Sequence, residues 1–293
     1  MTAVETHIAT HYQVHHKTIG IDGQDIFYRE AGPADAPVIL LLHGFPTSSN
    51  MFRNLIPRLS GSFHLVAPDY PGYGQSSMPD NKSFAYNFDH YAEIIDHLLE
   101  RLGLSRYIIY VMDYGAPVGY RLALLHPDRV QGLIVQNGNA YEVGLGEFWD
   151  PIKKYWASPD PTWINGMIGI EQTRWQYENG VVDKTLLDPT MWTLDQALLD
   201  RPGNAAIQAD LMYDYRTNLA LYPKFQAFFR EYQPPVLIVW GKNDYVFPPE
   251  GAYPYGRDLK DIEMHLLDTG HFALETHGEE IASLIQDFFL KRV

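Results

Sequence analysis

The feature that most constrains the fold is a series of short, almost wholly apolar segments separated by segments with helical periodicity. The run Val38–Leu42 (VILLL) is typical of a strand that is buried on both faces of a sheet. Strands that alternate with helices form a mostly parallel sheet flanked by helices, and we predict this α/β fold. The predicted strands are Gln24–Tyr28, Val38–Leu42, His64–Ala67, Tyr107–Met112, Leu133–Gln136, Val236–Trp240 and Glu263–Leu267.

One helix is especially clear in the first half of the chain. In NFDHYAEIIDHLLERLG the apolar residues recur at helical spacing from Phe88 to Leu102, and Gly103 is a typical helix stop.

The alternation of strand and helix patterns stops between residues 139 and 226. No strand pattern is found there, and five of the six tryptophans occur in this region. We predict that residues 139–226 form a helical cap inserted between two strands. Residues 1–138 and 227–293 would then form the core domain that carries the sheet.

The composition excludes several classes of function. The formal charge is 22 − 36 = −14, which opposes binding to nucleic acid or to anionic membrane surfaces. The absence of cysteine excludes disulfides, thiolate metal sites and cysteine nucleophiles. No segment is typical of a leader or a membrane span, so we expect a soluble cytoplasmic protein. We interpret the N-terminal histidines as an exposed, solvated tail that binds no metal; they are His7, His11, His15 and His16.

The segment YIIYVMDYGAPVGYRLALLHP carries the strongest functional signal. A buried strand ends at Met112, Asp113 follows, and a helix begins near Gly115. Val111 and Gly115, two positions to either side of Asp113, occupy the small-residue positions of a nucleophile elbow, a tight strand-to-helix turn that exposes one side chain. Here that side chain is a carboxylate.

Three further motifs follow strand ends. LLLHGFPTSS contains Phe45, VLIVWGKNDYVFP contains Asp244, and LLDTGHFALE contains His271 after a glycine. Parallel sheets place their sites at the carboxyl ends of strands. The chain order is therefore nucleophile, acid, histidine.

With these motifs and the loop DYPGYGQSS, the chain resembles the α/β-hydrolase superfamily over essentially its whole length. It is similar to the aspartate-nucleophile branch, which contains epoxide hydrolases, haloalkane dehalogenases and haloacetate dehalogenases. The resemblance implies that Asp113 is the nucleophile and that His271, oriented by Asp244, is the base. It also implies an oxyanion hole formed by the N–H groups of Phe45 and Tyr114, and no cofactor or metal.

An aspartate nucleophile has a chemical reason. A serine that attacks an sp³ carbon leaves an ether, whereas a carboxylate leaves an ester that activated water can hydrolyse. The sequence therefore indicates alkylating substrates such as epoxides or alkyl halides.

Epoxide hydrolases of this branch open the ring with two cap tyrosines. LMYDYRTN resembles the segment that supplies one of them, and the matching residue is Tyr215. The other tyrosine precedes a proline-containing stretch. When the two stretches are aligned on Pro159, Ile152 occupies the position where the second tyrosine is expected. Tyr155 lies about one helical turn away from it. We predict Tyr215 and Tyr155 as the ring-opening acids.

The donors expected for other substrates are missing. Haloalkane dehalogenases usually have Trp after the nucleophile, and one large group has Asn or Glu after the His-Gly pair. In this chain Tyr114 follows the predicted nucleophile and Phe45 follows the His-Gly pair. Tyr114 and Pro117 stand where haloacetate dehalogenases have arginines. We therefore predict an epoxide hydrolase that converts an apolar epoxide to a vicinal diol. The alternatives are a haloalkane dehalogenase with Trp149 or Trp156 as halide donor, and a non-catalytic ligand-binding homologue.

Overall fold

The computed structural model describes residues 12–160 and 162–292, and within them eight strands form one sheet in the order β1-β2-β4-β3-β5-β6-β7-β8. The strands are β1 (His15–Ile21), β2 (Gln24–Ala31), β3 (Val38–Leu42), β4 (His64–Pro68), β5 (Tyr107–Met112), β6 (Val130–Gln136), β7 (Val236–Gly241) and β8 (Ile262–Leu267). β2 runs antiparallel to β1 and β4, and the other neighbouring strands are parallel. The predicted α/β fold, a mostly parallel sheet with helices between its strands, is confirmed.

The seven predicted strands are all present, and β1 is the strand that the sequence analysis missed. Its side chains are mostly exposed, so it lacks the alternation of apolar and polar residues that marks a half-buried strand. His15 and His16 pair in β1 with Glu30 and Arg29, so their interpretation as part of a tail was wrong. His7 and His11 lie outside the described residues.

The described part of the chain contains helices on both sides of the sheet. They are α1 (Leu55–Leu59), α2 (Phe88–Leu102), α3 (Gly115–Leu125), α4 (Asp150–Ala157), α5 (Ile170–Glu178), α6 (Pro189–Leu199), α7 (Asn204–Asp214), α8 (Arg216–Tyr232), α9 (Tyr255–Asp258) and α10 (Ala273–Phe289). α2 has the predicted bounds: the Asn87 side chain caps its first turn, and Gly103 ends it in the left-handed conformation. None of the described helices is both long enough and apolar enough to span a bilayer.

Between β6 and β7 the described residues form α4 to α8 and contribute no strand to the sheet. This is the region in which the sequence predicts a helical cap. The predicted boundary at residue 226 falls inside α8, which continues to Tyr232. The division of the chain into a core domain and a cap domain stays a prediction.

The parallel strands β5 to β8 bring four strand ends to one edge of the sheet. Asp113 directly follows β5, Asn137 directly follows β6, and Asp244 and His271 lie a few residues beyond β7 and β8. Residues that are far apart in the chain therefore meet at this edge.

A buried carboxyl lies in the helical segment. Asp195 of α6 is fully buried and accepts a hydrogen bond of 2.5 Å from the Tyr177 hydroxyl. The Tyr177 ring stacks on Phe272, beside His271, with ring centroids 4.1 Å apart. Burial raises the pKa of Asp195 to about 7.

We expect Asp195→Asn to stabilise the protein at neutral and alkaline pH. The pKa of Asp195 is higher in the folded state than its unfolded value of about 3.9, so its contribution to stability is present below pH 4 and is lost as pH rises through 7. The variant should gain up to about 4 kcal/mol in unfolding free energy relative to the parent across this window. Denaturant unfolding at pH 5 and pH 8 measures the difference; an equal effect at both values would contradict the prediction.

Candidate active site

The turn after β5 holds Asp113 in an unusual backbone conformation. Its φ is +49°, in the left-handed region that few residues other than glycine adopt. The neighbouring chain approaches closely on both sides: a Cβ at Gly44 would lie 2.4 Å from Asp113 Cβ, and one at Gly115 would lie 2.2 Å from the Leu42 carbonyl oxygen. The glycines thus permit the tight turn that the sequence predicts.

Two backbone N–H groups bind the Asp113 carboxylate. β3 lies beside β5, so the loop after β3 reaches Asp113, and the Phe45 N–H donates to Oδ1 over 2.6 Å. The Tyr114 N–H also donates to the carboxylate. Burial raises the pKa of Asp113 above its usual value, while His271 and these two N–H groups oppose that rise. The pair predicted as an oxyanion hole therefore lies against Asp113.

His271 lies between the two carboxylates. Its Nδ1 is 2.7 Å from Asp244 Oδ2, and its Nε2 is 3.9 Å from Asp113 Oδ2. Nε2 has no hydrogen-bond partner among the described residues. Burial lowers the pKa of His271, but the charge and hydrogen bond of Asp244, together with the charge of Asp113, outweigh this effect and hold the pKa above its usual value. The arrangement suits a general base oriented by an acid.

Asn137 is a site residue to which the sequence analysis assigned no role. It follows β6 with a φ of +45°. Its Nδ2 donates to Asp244 Oδ2 over 2.7 Å, and its Oδ1 accepts from the Gly241 N–H over 3.0 Å. The Val246 N–H donates to the other Asp244 oxygen over 2.7 Å. These bonds fix the position of the Asp244 carboxylate. The sequence feature that could have revealed Asn137 is an amide directly after a predicted strand.

A family model described as the alpha/beta hydrolase fold matches residues 37–278 of the chain. The chain belongs to the α/β-hydrolase family.

Relatives support this assignment. A Saccharomyces cerevisiae protein named Uncharacterized hydrolase YNR064C is 48% identical over 281 residues, which cover 94% of this chain and 96% of that protein. Haloalkane dehalogenase 2 of Mycobacterium tuberculosis is 28% identical over 267 residues, 86% of this chain and 88% of that protein. The crystal structure of Cfl2 from Burkholderia cenocepacia has a TM-score of 0.79 and 25% identity, covering 97% of this chain and 98% of that one. The predicted resemblance to the dehalogenase-like branch is confirmed.

In this α/β-hydrolase, five aromatic side chains form a continuous surface beside the carboxylate. We call them the aromatic wall: Phe45, Tyr114, Tyr215, Trp149 and Phe247. Successive ring centroids lie 4.4 to 5.9 Å apart, and the last ring lies 6.0 Å from the His271 imidazole. All five are buried. An apolar wall of this kind keeps the local dielectric low, which strengthens the electrostatic interactions of the site.

The two predicted ring-opening tyrosines lie in different places. Tyr215 belongs to the aromatic wall; burial raises its pKa well above the usual range, and the charge of Asp113 adds to the shift. Tyr155 instead donates its hydroxyl to the Ala209 carbonyl over 3.3 Å and stacks on Trp163. The structure therefore brings Tyr215 towards Asp113 but not Tyr155. Sequence spacing could not separate them, because the difference depends on how α4 packs against α7.

Among the described residues, one group outside this site could suggest a metal ion. Asp96, Glu100 and His126 bring their ligand atoms within 4.8 Å of one another. Arg129 forms ion pairs with both carboxylates, and the histidine is 2.9 Å from Asp96. We interpret the group as an ion-pair network.

We expect Asp244→Asn to lower the pKa of His271. Asp244 holds the imidazolium form by charge and hydrogen bond, so without the charge the effect of burial should prevail. NMR titration of the His271 ring, assigned with His271→Gln, should show a midpoint above 6.5 in the parent and a lower one in the variant. An unchanged midpoint would show that Asp244 does not set the protonation state of His271.

Proposed function

We propose that this hydrolase is an epoxide hydrolase that acts through a covalent ester on Asp113 and converts an apolar epoxide to a vicinal diol. The observation that carries the proposal is a buried phenol, Tyr215, in the aromatic wall next to a carboxylate that is itself bound by two backbone N–H groups.

In the first step Asp113 attacks the epoxide. Oδ1 is held by the Phe45 N–H, so Oδ2 is the oxygen that attacks an sp³ carbon of the ring. The carbon–oxygen bond of the epoxide breaks as the ester bond forms. The resulting alkoxide is too basic to leave without a proton, and Tyr215 donates one.

In the second step His271 activates water. Its Nδ1 faces Asp244, so Nε2 accepts the proton from a water that attacks the ester carbonyl of Asp113. The negative charge develops on the oxygen that faces the N–H groups of Phe45 and Tyr114. Collapse of this intermediate breaks the ester bond, releases the diol and restores the carboxylate. The proton taken by His271 then returns to Tyr215 through the solvent.

The tryptophans that could have supported a halide site already have partners. Trp149 Nε1 donates to the Val246 carbonyl over 2.8 Å, and Trp156 Nε1 donates to the Met212 carbonyl over 2.7 Å. An indole has one N–H, so binding a halide would cost each of them an existing hydrogen bond. Phe45 has no side-chain donor. This favours an epoxide over a halide.

The second candidate is a haloalkane dehalogenase, and the observation in its favour is the name of the Mycobacterium tuberculosis relative. A non-catalytic binding protein is the third candidate. The contacts among Asp113, His271 and Asp244 argue against it, because a ligand-binding role would not require a buried histidine between two carboxylates.

The substrate class follows from the surroundings of the nucleophile. Asp113, His271 and Asp244 are 4%, 2% and 4% exposed, and the aromatic wall is apolar apart from its hydroxyl and indole groups. Such a site favours a small apolar substrate, with water as the second reactant. The localisation predicted as cytoplasmic remains a proposal.

We expect His271→Gln to trap the covalent intermediate. The variant keeps Asp113 but lacks the base for hydrolysis, so incubation with an aryl epoxide should add the mass of one substrate to the intact protein. Peptide mapping should locate the added mass on Asp113, and Asp113→Ala should acquire none. Turnover by His271→Gln near the parent rate would contradict the assignment of the base.

We expect Tyr215→Phe to slow epoxide alkylation by about 100-fold, within the usual range for general acid catalysis. A halide leaving group needs no proton, so Tyr215→Phe should not slow alkylation by a primary alkyl bromide to the same extent. Rapid-mixing measurements of ester formation, for parent and variant on both substrates, test the difference.

Tyr155→Phe is the matched control, because it also removes one cap hydroxyl, and this hydroxyl is bonded to a backbone carbonyl. If the parent used bromide faster than epoxide and Tyr215→Phe affected neither, the dehalogenase candidate would replace the epoxide hydrolase.

A further inference from the structure

The buried carboxyl of Asp195 in α6 is only partly satisfied by hydrogen bonds. Its Oδ2 accepts the Tyr177 hydroxyl over 2.5 Å, whereas its Oδ1 is shielded from solvent and has no hydrogen-bond partner at normal distance among the described residues. A buried polar oxygen without a partner weakens the folded state, and features that weaken a fold are concentrated at functional sites. The contacts of Tyr177 indicate which function this pair serves.

Tyr177 connects the Asp195 carboxyl to the loop that carries His271. The Tyr177 ring lies parallel to the Phe272 ring, with centroids 4.1 Å apart and an angle of 4° between the two planes. The Phe272 ring in turn packs edge-on against the His271 imidazole, with centroids 5.2 Å apart. Asp195, Tyr177, Phe272 and His271 therefore form a continuous series of contacts, and all four side chains are buried.

The backbone that follows α5 packs on the same part of the site. A Cβ at Gly270 would lie 1.9 Å from the Asn179 carbonyl oxygen. The next residue, Gly180, accepts a hydrogen bond of 3.0 Å from the side chain of Asn243, which directly precedes Asp244. The end of α5 therefore contacts both loops, that of the histidine and that of the acid which orients it.

The hydrolysis step depends more strongly on the placement of His271 than the alkylation step does. In alkylation Asp113 attacks the substrate directly, whereas in hydrolysis His271 must hold a water within reach of the ester carbonyl. Displacing a catalytic group by about 1 Å can slow a step by about 100-fold. Loss of a support for the His271 loop should therefore slow hydrolysis and leave alkylation unchanged.

We propose that the Asp195–Tyr177 pair positions His271 for the hydrolysis step: the hydrogen bond holds the Tyr177 ring in place, and the ring holds Phe272 and the loop before it. Tyr177 and Asp195 are positioning residues, because both act through Phe272. The inference rests on the proposed ester on Asp113, whether an epoxide or an alkyl halide supplies the alkyl group.

The test measures the two half-reactions separately. Parent and variants are mixed rapidly with an aryl epoxide and quenched at intervals, and intact mass follows the formation and the decay of the ester. Tyr177→Leu removes the stacked ring, so the ester should accumulate and its decay should slow by about 10- to 100-fold. Ester formation should keep the parent rate, since a loss of stability alone would not slow one half-reaction selectively.

Two variants of Asp195 test the hydrogen bond. Asp195→Asn keeps an oxygen that accepts the Tyr177 hydroxyl, so its ester should decay at the parent rate. Asp195→Leu has a similar size but no acceptor, so its ester should decay more slowly than the parent ester. This pair of variants also carries the test if Tyr177→Leu does not fold, which thermal unfolding monitors.

Tyr141→Leu is the matched control. Tyr141 is buried, donates its hydroxyl to Asp258 over 2.7 Å and packs against the Tyr255 ring. The variant therefore also removes an aromatic ring and a tyrosine–aspartate hydrogen bond, but at a distance from the His271 loop along the chain of contacts described above. Both of its rates should equal those of the parent.

The outcomes separate the two proposals. If no ester forms in the parent or in His271→Gln, the proposed function fails. If the ester forms but Tyr177→Leu slows neither half-reaction, or slows both equally, the proposed function stands and the positioning role is overturned. Slow ester decay in Tyr141→Leu, or equal decay rates in Asp195→Asn and Asp195→Leu, would also overturn that role.

Discussion

The backbone at Asp113 adopts a left-handed conformation between a buried strand and a helix, and the geometry of the site depends on this turn. A conformation of this kind costs roughly 1–3 kcal/mol and persists only where the surroundings fix it. Here the close approach of Gly44 and Gly115 leaves no space for any larger residue, and the Phe45 N–H binds the carboxylate. The turn therefore holds a buried carboxylate against the Phe45 N–H and 3.9 Å from His271 Nε2.

The electrostatic contacts of the site are strong because the groups that make them are buried. The carboxylates of Asp113 and Asp244 lie on either side of one imidazole in an environment closed by aromatic rings. Charges in such surroundings interact more strongly than at a wet surface, and each needs specific partners. Asp244 has three: the His271 ring, the Asn137 amide and the Val246 N–H. The same environment keeps the phenol of Tyr215 protonated at neutral pH.

The order of strands explains how distant motifs form one site. β5, β6, β7 and β8 are neighbours in the sheet and run parallel, so Asp113, Asn137, Asp244 and His271 emerge at one edge although they span more than half of the chain. The glycine before His271 matters for the same reason: a Cβ at Gly270 would lie 1.9 Å from the Asn179 carbonyl oxygen, so the helical segment packs directly on this loop.

The sequence by itself predicted seven of the eight described strands, the tight turn at Asp113, and that Asp113, Asp244 and His271 follow strand ends, because buried strands and the turns after them leave local patterns of apolar residues and glycine. It could not reveal β1, whose exposed side chains have no such pattern. It also could not decide between Tyr215 and Tyr155, or find Asn137 as the partner of Asp244. Those assignments depend on which hydroxyl or amide faces which acceptor across packed helices. Side-chain hydrogen bonds of that kind join residues far apart in sequence, and only the tertiary structure decides them.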